Sequence, residues 1–155
     1  MRAVVDTNIL IRAVLKPDGT VGPIVTRLAA ADYVLIYSHE LLVELVEKLE
    51  LPRIKQKYHI ADEDITDLVA LLALRGEFVI PEVKVTVCRD PDDNVVIEAA
   101  LAGSAECVVT GDEDLLSLGI YERFEFIGPR AFLSRLDHKS EISDINGAPA
   151  SGEAE

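Results

Sequence analysis

The sequence predicts a three-layer α/β/α sandwich with a mostly parallel central sheet. Three observations predict it. Short apolar, β-branched runs alternate with segments of helical periodicity along the chain. Arg2-Ala3-Val4-Val5 and Glu106-Cys107-Val108-Val109 read as buried strands. Aspartates follow both, at the carboxyl ends of strands, where open α/β sheets bind their ligands.

The elements follow in order. After the first strand, Ile9 to about Leu15 has a helical pattern, stopped by the turn signal Lys16-Pro17-Asp18-Gly19. Val21 to Ala31 is a second helix, with Pro23 tolerable in its first turn. Tyr33-Val34-Leu35-Ile36-Tyr37 is a strand, and Ser38 can cap a helix from His39 to about Glu50. Pro52 interrupts the pattern, and Arg53 to His59 is a short basic helix. Asp62, Glu63 and Asp64 open a further helix with acids in its first turn, where the dipole favours them. That helix runs through Leu74 and ends near Gly76. Phe78-Val79-Ile80 and Val83 to Val87 are strand-like, separated by Pro81. Asp90-Pro91-Asp92-Asp93 is a turn, followed by a helix from about Asn94 to Ala102 with Gly103 as its stop. Thr110-Gly111-Asp112 follows the Glu106–Val109 strand, and Glu113 to Leu118 is a short helix. Phe124 to Ile127 is a last strand, and Pro129 to Leu136 a last helix. Residues 1–137 read as one domain, and 138–155 as an acidic, flexible tail.

Composition bounds the function. A chain of 155 residues with 49% hydrophobic residues can build one real core. No run approaches the roughly 18 apolar residues that span a bilayer. The N-terminus lacks the pattern of a signal peptide, so a cytoplasmic protein without membrane contact is expected. Cys88 and Cys107 lack a zinc spacing and read as ordinary buried thiols. His39, His59 and His138 form no motif, and there is no glycine-rich phosphate loop. The net charge of −13 opposes phosphate binding by bulk attraction. Five acids against Lys139 in residues 137–155 account for −4 of it, and acids that hold divalent cations are neutralised when the metal binds.

The acids carry the chemistry. Asp6 follows the first strand, and Asp90, Asp92 and Asp93 follow the Val83–Val87 run. Asp112 and Asp114 follow the Cys107–Val109 run, while the helix behind Ser38 carries Glu40, Glu44 and Glu47. Carboxylates delivered to one edge repel unless a cation intervenes. Hard oxygen donors without histidine or cysteine suit Mg²⁺ or Mn²⁺, and such clusters run phosphodiester hydrolysis. Each acid also has a structural use. Asp6, Asp92 or Asp93, and Asp112 can cap the helices they precede. Glu40, Glu44, Glu47 and Lys48 form a polar stripe opposite Leu41, Leu45 and Leu49.

Val-Val-Asp-Thr-Asn-Ile-Leu at 4–10, Ser-His-Glu-Leu-Leu-Val-Glu-Leu at 38–45, Arg-Asp-Pro-Asp-Asp-Asn at 89–94 and Val-Thr-Gly-Asp-Glu-Asp-Leu-Leu at 109–116 resemble the PIN-domain ribonucleases. The likeness is to the branch of toxins of type II toxin–antitoxin pairs, similar to the VapC toxins, and spans about residues 2–136. It implies catalytic and metal-binding acids at Asp6, Glu44, Asp93 and Asp112, with Asp90 and Asp92 as alternatives in their run and Asp114 as an accessory. Thr7, Asn8, Ser38 and Thr110 would orient those acids. It further implies a metal-dependent endoribonuclease acting on single-stranded RNA, a homodimer, and neutralisation by a protein antitoxin. Arg53, Lys55 and Lys57, with the stacking ring of Tyr58, are the densest basic cluster for RNA. The rival readings are an RNA-processing nuclease outside any toxin pair, and a PIN-fold module that binds RNA or protein without cutting.

Overall fold

The computed structural model describes residues 1–152. Its six-stranded sheet contains β1 (Arg2–Val5), β2 (Val34–Tyr37), β3 (Gly76–Phe78), β4 (Cys107–Val109), β5 (Ile120–Tyr121) and β6 (Phe124–Ile127). The strand order is β3-β2-β1-β4-β6-β5. All neighbours pair in parallel except the β5–β6 hairpin at one edge. The helices are α1 (Thr7–Leu15), α2 (Pro23–Ala29), α3 (His39–Leu49), α4 (Pro52–Tyr58), α5 (Asp62–Arg75), α6 (Pro91–Ala102), α7 (Glu113–Leu116) and α8 (Pro129–Gly152).

Alternation along the strands builds the layers. Successive strand side chains point to opposite faces. Ala3, Val5, Leu35, Cys107 and Val109 therefore pack one way, against Ile9, Leu10 and Ala13 of α1, Leu28 of α2, Leu45 and Leu49 of α3, Leu68 and Leu72 of α5, and Phe132 of α8. Val4, Ile36, Val108 and Phe126 pack the other way, against Val96, Ile97, Ala99 and Ala100 of α6 and Leu115 of α7. Both faces of the strands are covered, as parallel sheets require.

Four local expectations change. The strand expected at Phe78–Ile80 begins two residues earlier, directly at the end of α5. Gly76 permits this joint, because a Cβ there would meet the Leu72 carbonyl oxygen at 2.6 Å and the Leu35 oxygen at 2.7 Å. The Val83–Val87 run is not a strand. Side chains of α6 instead grip one of its amides and the amide just beyond it. Glu98 Oε2 accepts from the Val85 N–H at 2.9 Å, and Asn94 Oδ1 accepts from the Cys88 N–H at 2.9 Å. Two polar residues four apart on one helix thus replace the neighbouring strand that the apolar run would need. The β5 strand is added to the expected set, joined to β6 across Glu122 and Arg123, with Glu122 at φ 53°. The last helix was expected to stop near Leu136, but its helical span continues to Gly152. Residues 153–155 of the expected tail lie outside the described residues.

Candidate active site

Register brings the first two acids together. Val5 pairs with Val109, and the ladder continues as the Asp6 N–H donates to the Val109 carbonyl at 2.8 Å. Asp6 and Thr110 therefore leave the sheet side by side. Thr110, fully buried, donates its Oγ1–H to Asp6 Oδ2 at 2.9 Å and accepts from the Asp112 N–H at 3.0 Å. Asp6 Oδ1 meanwhile accepts from the Asn8 N–H at 3.1 Å, capping α1. One hydroxyl thus couples two acids that are more than a hundred residues apart in sequence.

The other acids arrive on helix N-termini. Asp112 Oδ1 accepts from the Asp114 N–H at 2.8 Å and caps α7. Asp90, rather than Asp92 or Asp93, caps α6, accepting from the Asp92 N–H at 3.0 Å. Capping and chemistry are compatible here, because each cap engages one carboxylate oxygen. The caps also fix the direction in which each carboxylate leaves its strand-to-helix turn.

The electrostatics identify a group. Asp93 is pushed up to about 6, first by its own burial and then by the negative charges of Asp112, Asp90, Asp6 and Asp114. The Cys88 thiol is raised by burial and by Asp93, Asp112, Asp114 and Asp90. Two separate groups thus sense the same acids. Asp6, Asp93 and Asp112 are half-buried, whereas Asp90, Asp92 and Asp114 are exposed. Asp92 lines a hollow of about 440 Å³ together with His39, Glu40, Glu44 and Glu47. Among the described residues, none of Asp6, Asp90, Asp93, Asp112 and Asp114 is in an ion pair.

Glu44 stands differently. It is half-buried, while Glu40 and Glu47 on the same helix are exposed. Its Oε2 accepts from Thr7 Oγ1 at 3.3 Å, and its Oε1 accepts from Lys48 Nζ at 2.9 Å. Lys48 also donates to Asn8 Oδ1 at 3.0 Å. Of the four residues expected to orient the acids, Thr7 and Thr110 bond carboxylates directly. Asn8 does so through its backbone N–H and spends its side chain on Lys48. Ser38 caps α3, accepting from the Leu41 N–H at 3.4 Å. Lys48 is the residue that sequence reasoning missed. Its signal was the Glu44-to-Lys48 spacing of four, which had been read only as part of a polar stripe. In the basic helix α4, Lys55 pairs with Asp62 and Lys57 lies over the Tyr58 ring at 5.4 Å, while Arg53 is exposed.

The donor chemistry suits a divalent cation: carboxylates without an ion-pair partner among the described residues, held at helix N-termini and sharing one field. Their distances do not complete a coordination shell. Among the described residues, no three Asp, Glu, His or Cys groups gather closely enough to grip a metal ion outright.

A family model described as "PIN domain" matches residues 2–114. The chain belongs to the PIN-domain family. All the acids just described lie within the matched span. This PIN domain is also similar to "Uncharacterized protein MJ1680" of Methanocaldococcus jannaschii, at 31% identity over 118 residues, which covers 76% of this chain and 75% of that protein. Among solved structures it resembles one described as the crystal structure of VapBC2 from Rickettsia felis bound to a DNA fragment from their promoter. That likeness has a TM-score of 0.54 and 16% identity, and covers 83% of this chain and 98% of the other. At that identity the likeness is one of fold.

Proposed function

We propose that this PIN domain is a metal-dependent endoribonuclease that cleaves single-stranded RNA, and that it is the toxin of a type II toxin–antitoxin pair. Membership of the family supports a nuclease. The observation that carries the reading is the set of uncompensated acids around Asp93 at the carboxyl edge of β1 and β4. Three of the five also cap helices, so the feature that a hard dication would relieve is the negative field they share on half-buried Asp93.

In this reading Asp6, Asp93 and Asp112 hold Mg²⁺ or Mn²⁺, with Asp90 and Asp114 adding negative charge at the rim. Bound there, the ion supplies Lewis acidity that makes water a competent nucleophile at neutral pH and offsets charge developing on the phosphate. The chain's own residues do the positioning. Thr110 fixes Asp6 and the Asp112 backbone to each other, and the caps on α1 and α7 hold both carboxylates at set angles. Asp93, held up at about 6, is mostly carboxylate at neutral pH and would offer that charge to the cation. No serine, cysteine or histidine nucleophile is required. Arg53 and the Tyr58 ring are candidates for holding RNA.

A partner antitoxin belongs to the same proposal, supported by the fold likeness to a chain of the VapBC2 structure, and a homodimer is proposed with it from the family resemblance alone. Among the described residues no helix is long and apolar enough to cross a membrane. The deciding test is cleavage of a labelled single-stranded RNA with Mg²⁺, with Mn²⁺ and with a chelator. Cleavage that needs the metal and is lost in Asp6→Asn is expected. Cleavage unaffected by chelator, or retained in Asp6→Asn, overturns the proposal.

A further inference from the structure

The sheet is open at β3. This is the end strand of the order, paired only with β2. The Val79 N–H turns inward to the Tyr37 carbonyl at 2.9 Å. Backbone groups alternate sides along a strand, so the Phe78 N–H and carbonyl turn outward. No other backbone group of the described residues takes that N–H. Such an edge is a template for a further strand. Nine large hydrophobic residues are exposed among those described, and five of them, Leu74, Phe78, Ile80, Val83 and Val87, lie in β3 and the segments on either side of it. Scattered singly, such residues need no explanation, but this concentration does. Ile80 and Val83 also border a hollow of about 270 Å³ with Leu101 and Ala102 of α6, room for an apolar side chain from outside.

The charges decide what fits there. In a chain of net charge −13, two copies repel over most of their surface. Residues 74–87 instead carry Arg75, Glu77, Glu82 and Lys84, two of each sign. Arg2 pairs with Glu77 at 2.6 Å, while neither Arg75 nor Glu82, both exposed, is in an ion pair among the described residues. We propose that this edge binds a second copy of the chain, β3 against β3, in antiparallel pairing about a two-fold axis at Phe78. Antiparallel pairing brings the Arg75 end of each strand to the Glu82 end of the other, so the two unpaired charges meet twice. An axis one residue earlier would set Glu77 opposite its own copy, and like charges directly opposite destabilise a strand pair. The axis at Phe78 sets the two rings together and joins the two sheets into one, an interface made of the same patch on both copies. This gives the homodimer proposed above its surface and rests on no part of the metal-dependent reading.

The test is sedimentation equilibrium of the full chain over a range of concentrations. Wild type is expected at twice the chain mass of 16.9 kDa. Phe78→Lys, at an exposed position, is expected to raise the dissociation constant by a factor of about 30 or more with unchanged far-UV circular dichroism. Arg75→Glu is expected to raise it about tenfold, and Arg75→Glu combined with Glu82→Arg to restore it. Ile120→Lys, at the opposite edge of the sheet and 75% exposed, is expected to leave it unchanged. A dimer as tight in Phe78→Lys as in wild type, or one broken by Ile120→Lys instead, overturns the surface and leaves a homodimer standing. Failure of the swapped pair to restore association overturns the antiparallel arrangement. A monomeric wild type overturns the surface and the homodimer together. Metal-dependent RNA cleavage, measured on the same samples, is decided separately by each of these proteins.

Discussion

Two groups of acids in this molecule are built on opposite plans. On the helical face, Arg27 of α2 bonds both Asp32 and Asp137, and the two carboxylates raise its guanidinium pKa in return. At the carboxyl edge of β1 and β4, five aspartates meet without a cation, and Asp93 is held up near 6 by its burial and its neighbours. The chain carries 28 acids against 15 Lys and Arg, so full compensation everywhere is impossible. The acids on Arg27 fasten α2 to α8, while those at the edge where α/β sheets bind ligands share one field without a paired cation. Local sequence marks Asp93 by its Asp-Pro-Asp-Asp run and leaves Asp32 unmarked, but only the partners brought by the fold show which of the two is paired.

That contrast can be broken most severely by substitution. Asp112→Asn, like Asp6→Asn, is expected to lower metal-dependent RNA cleavage by about three orders of magnitude, the scale of several kcal/mol of lost charge stabilisation. Asp32→Asn should leave the rate within a factor of about two, since a paired surface acid contributes little beyond stability. Equal losses in both would erase the distinction.

The loop that carries Asp90 offers the next largest effect. Asn94→Ala leaves the Cys88 N–H without its partner, at a cost of about 2 kcal/mol. A Tm lower by about 6 °C follows for a chain of this size. Amide exchange should speed up first at Val85 and Cys88; faster exchange across the sheet instead would mean that Asn94 does more than pin the loop.

Acidity gives a smaller and signed effect. Because the folded state raises Asp93, it holds a proton there that the unfolded chain has already lost. Stability therefore falls as pH rises from the ordinary carboxylate value of 3.8 to about 6. Below that window the penalty is absent, and above it the penalty is complete. Asp93→Asn is expected to raise Tm at pH 8, by the equivalent of about 1 kcal/mol after allowance for its contact with solvent, and to have no such effect at pH 3.5. Added Mn²⁺ should reverse the order at pH 8 by stabilising wild type more than the variant. The smallest effect is at the compensated site, where Asp32→Asn should destabilise by under about 1 kcal/mol, less still in high salt.

The sandwich, its parallel strands and the acids after β1 and β4 were readable from the chain. Strand and helix periodicities differ, and an aspartate at a strand-to-helix turn is a local pattern. Val83–Val87 was misread because apolar alternation reports burial on one face and says nothing of what takes the backbone amides. Here Asn94 and Glu98 took them. Lys48 is not singled out by the chain because a spacing of four on a helix describes a solvated stripe and a half-exposed tether equally well.

What the sequence determined by itself is the list of layers and the identity of the acids, since both follow from residue order over a few turns or strands. Tertiary structure decided which acids share a field, which one receives a cation, and which hydroxyl couples Asp6 to Asp112. Charge interactions act over a few ångströms in space, and residues 6, 93 and 112 become neighbours only when the sheet sets its register.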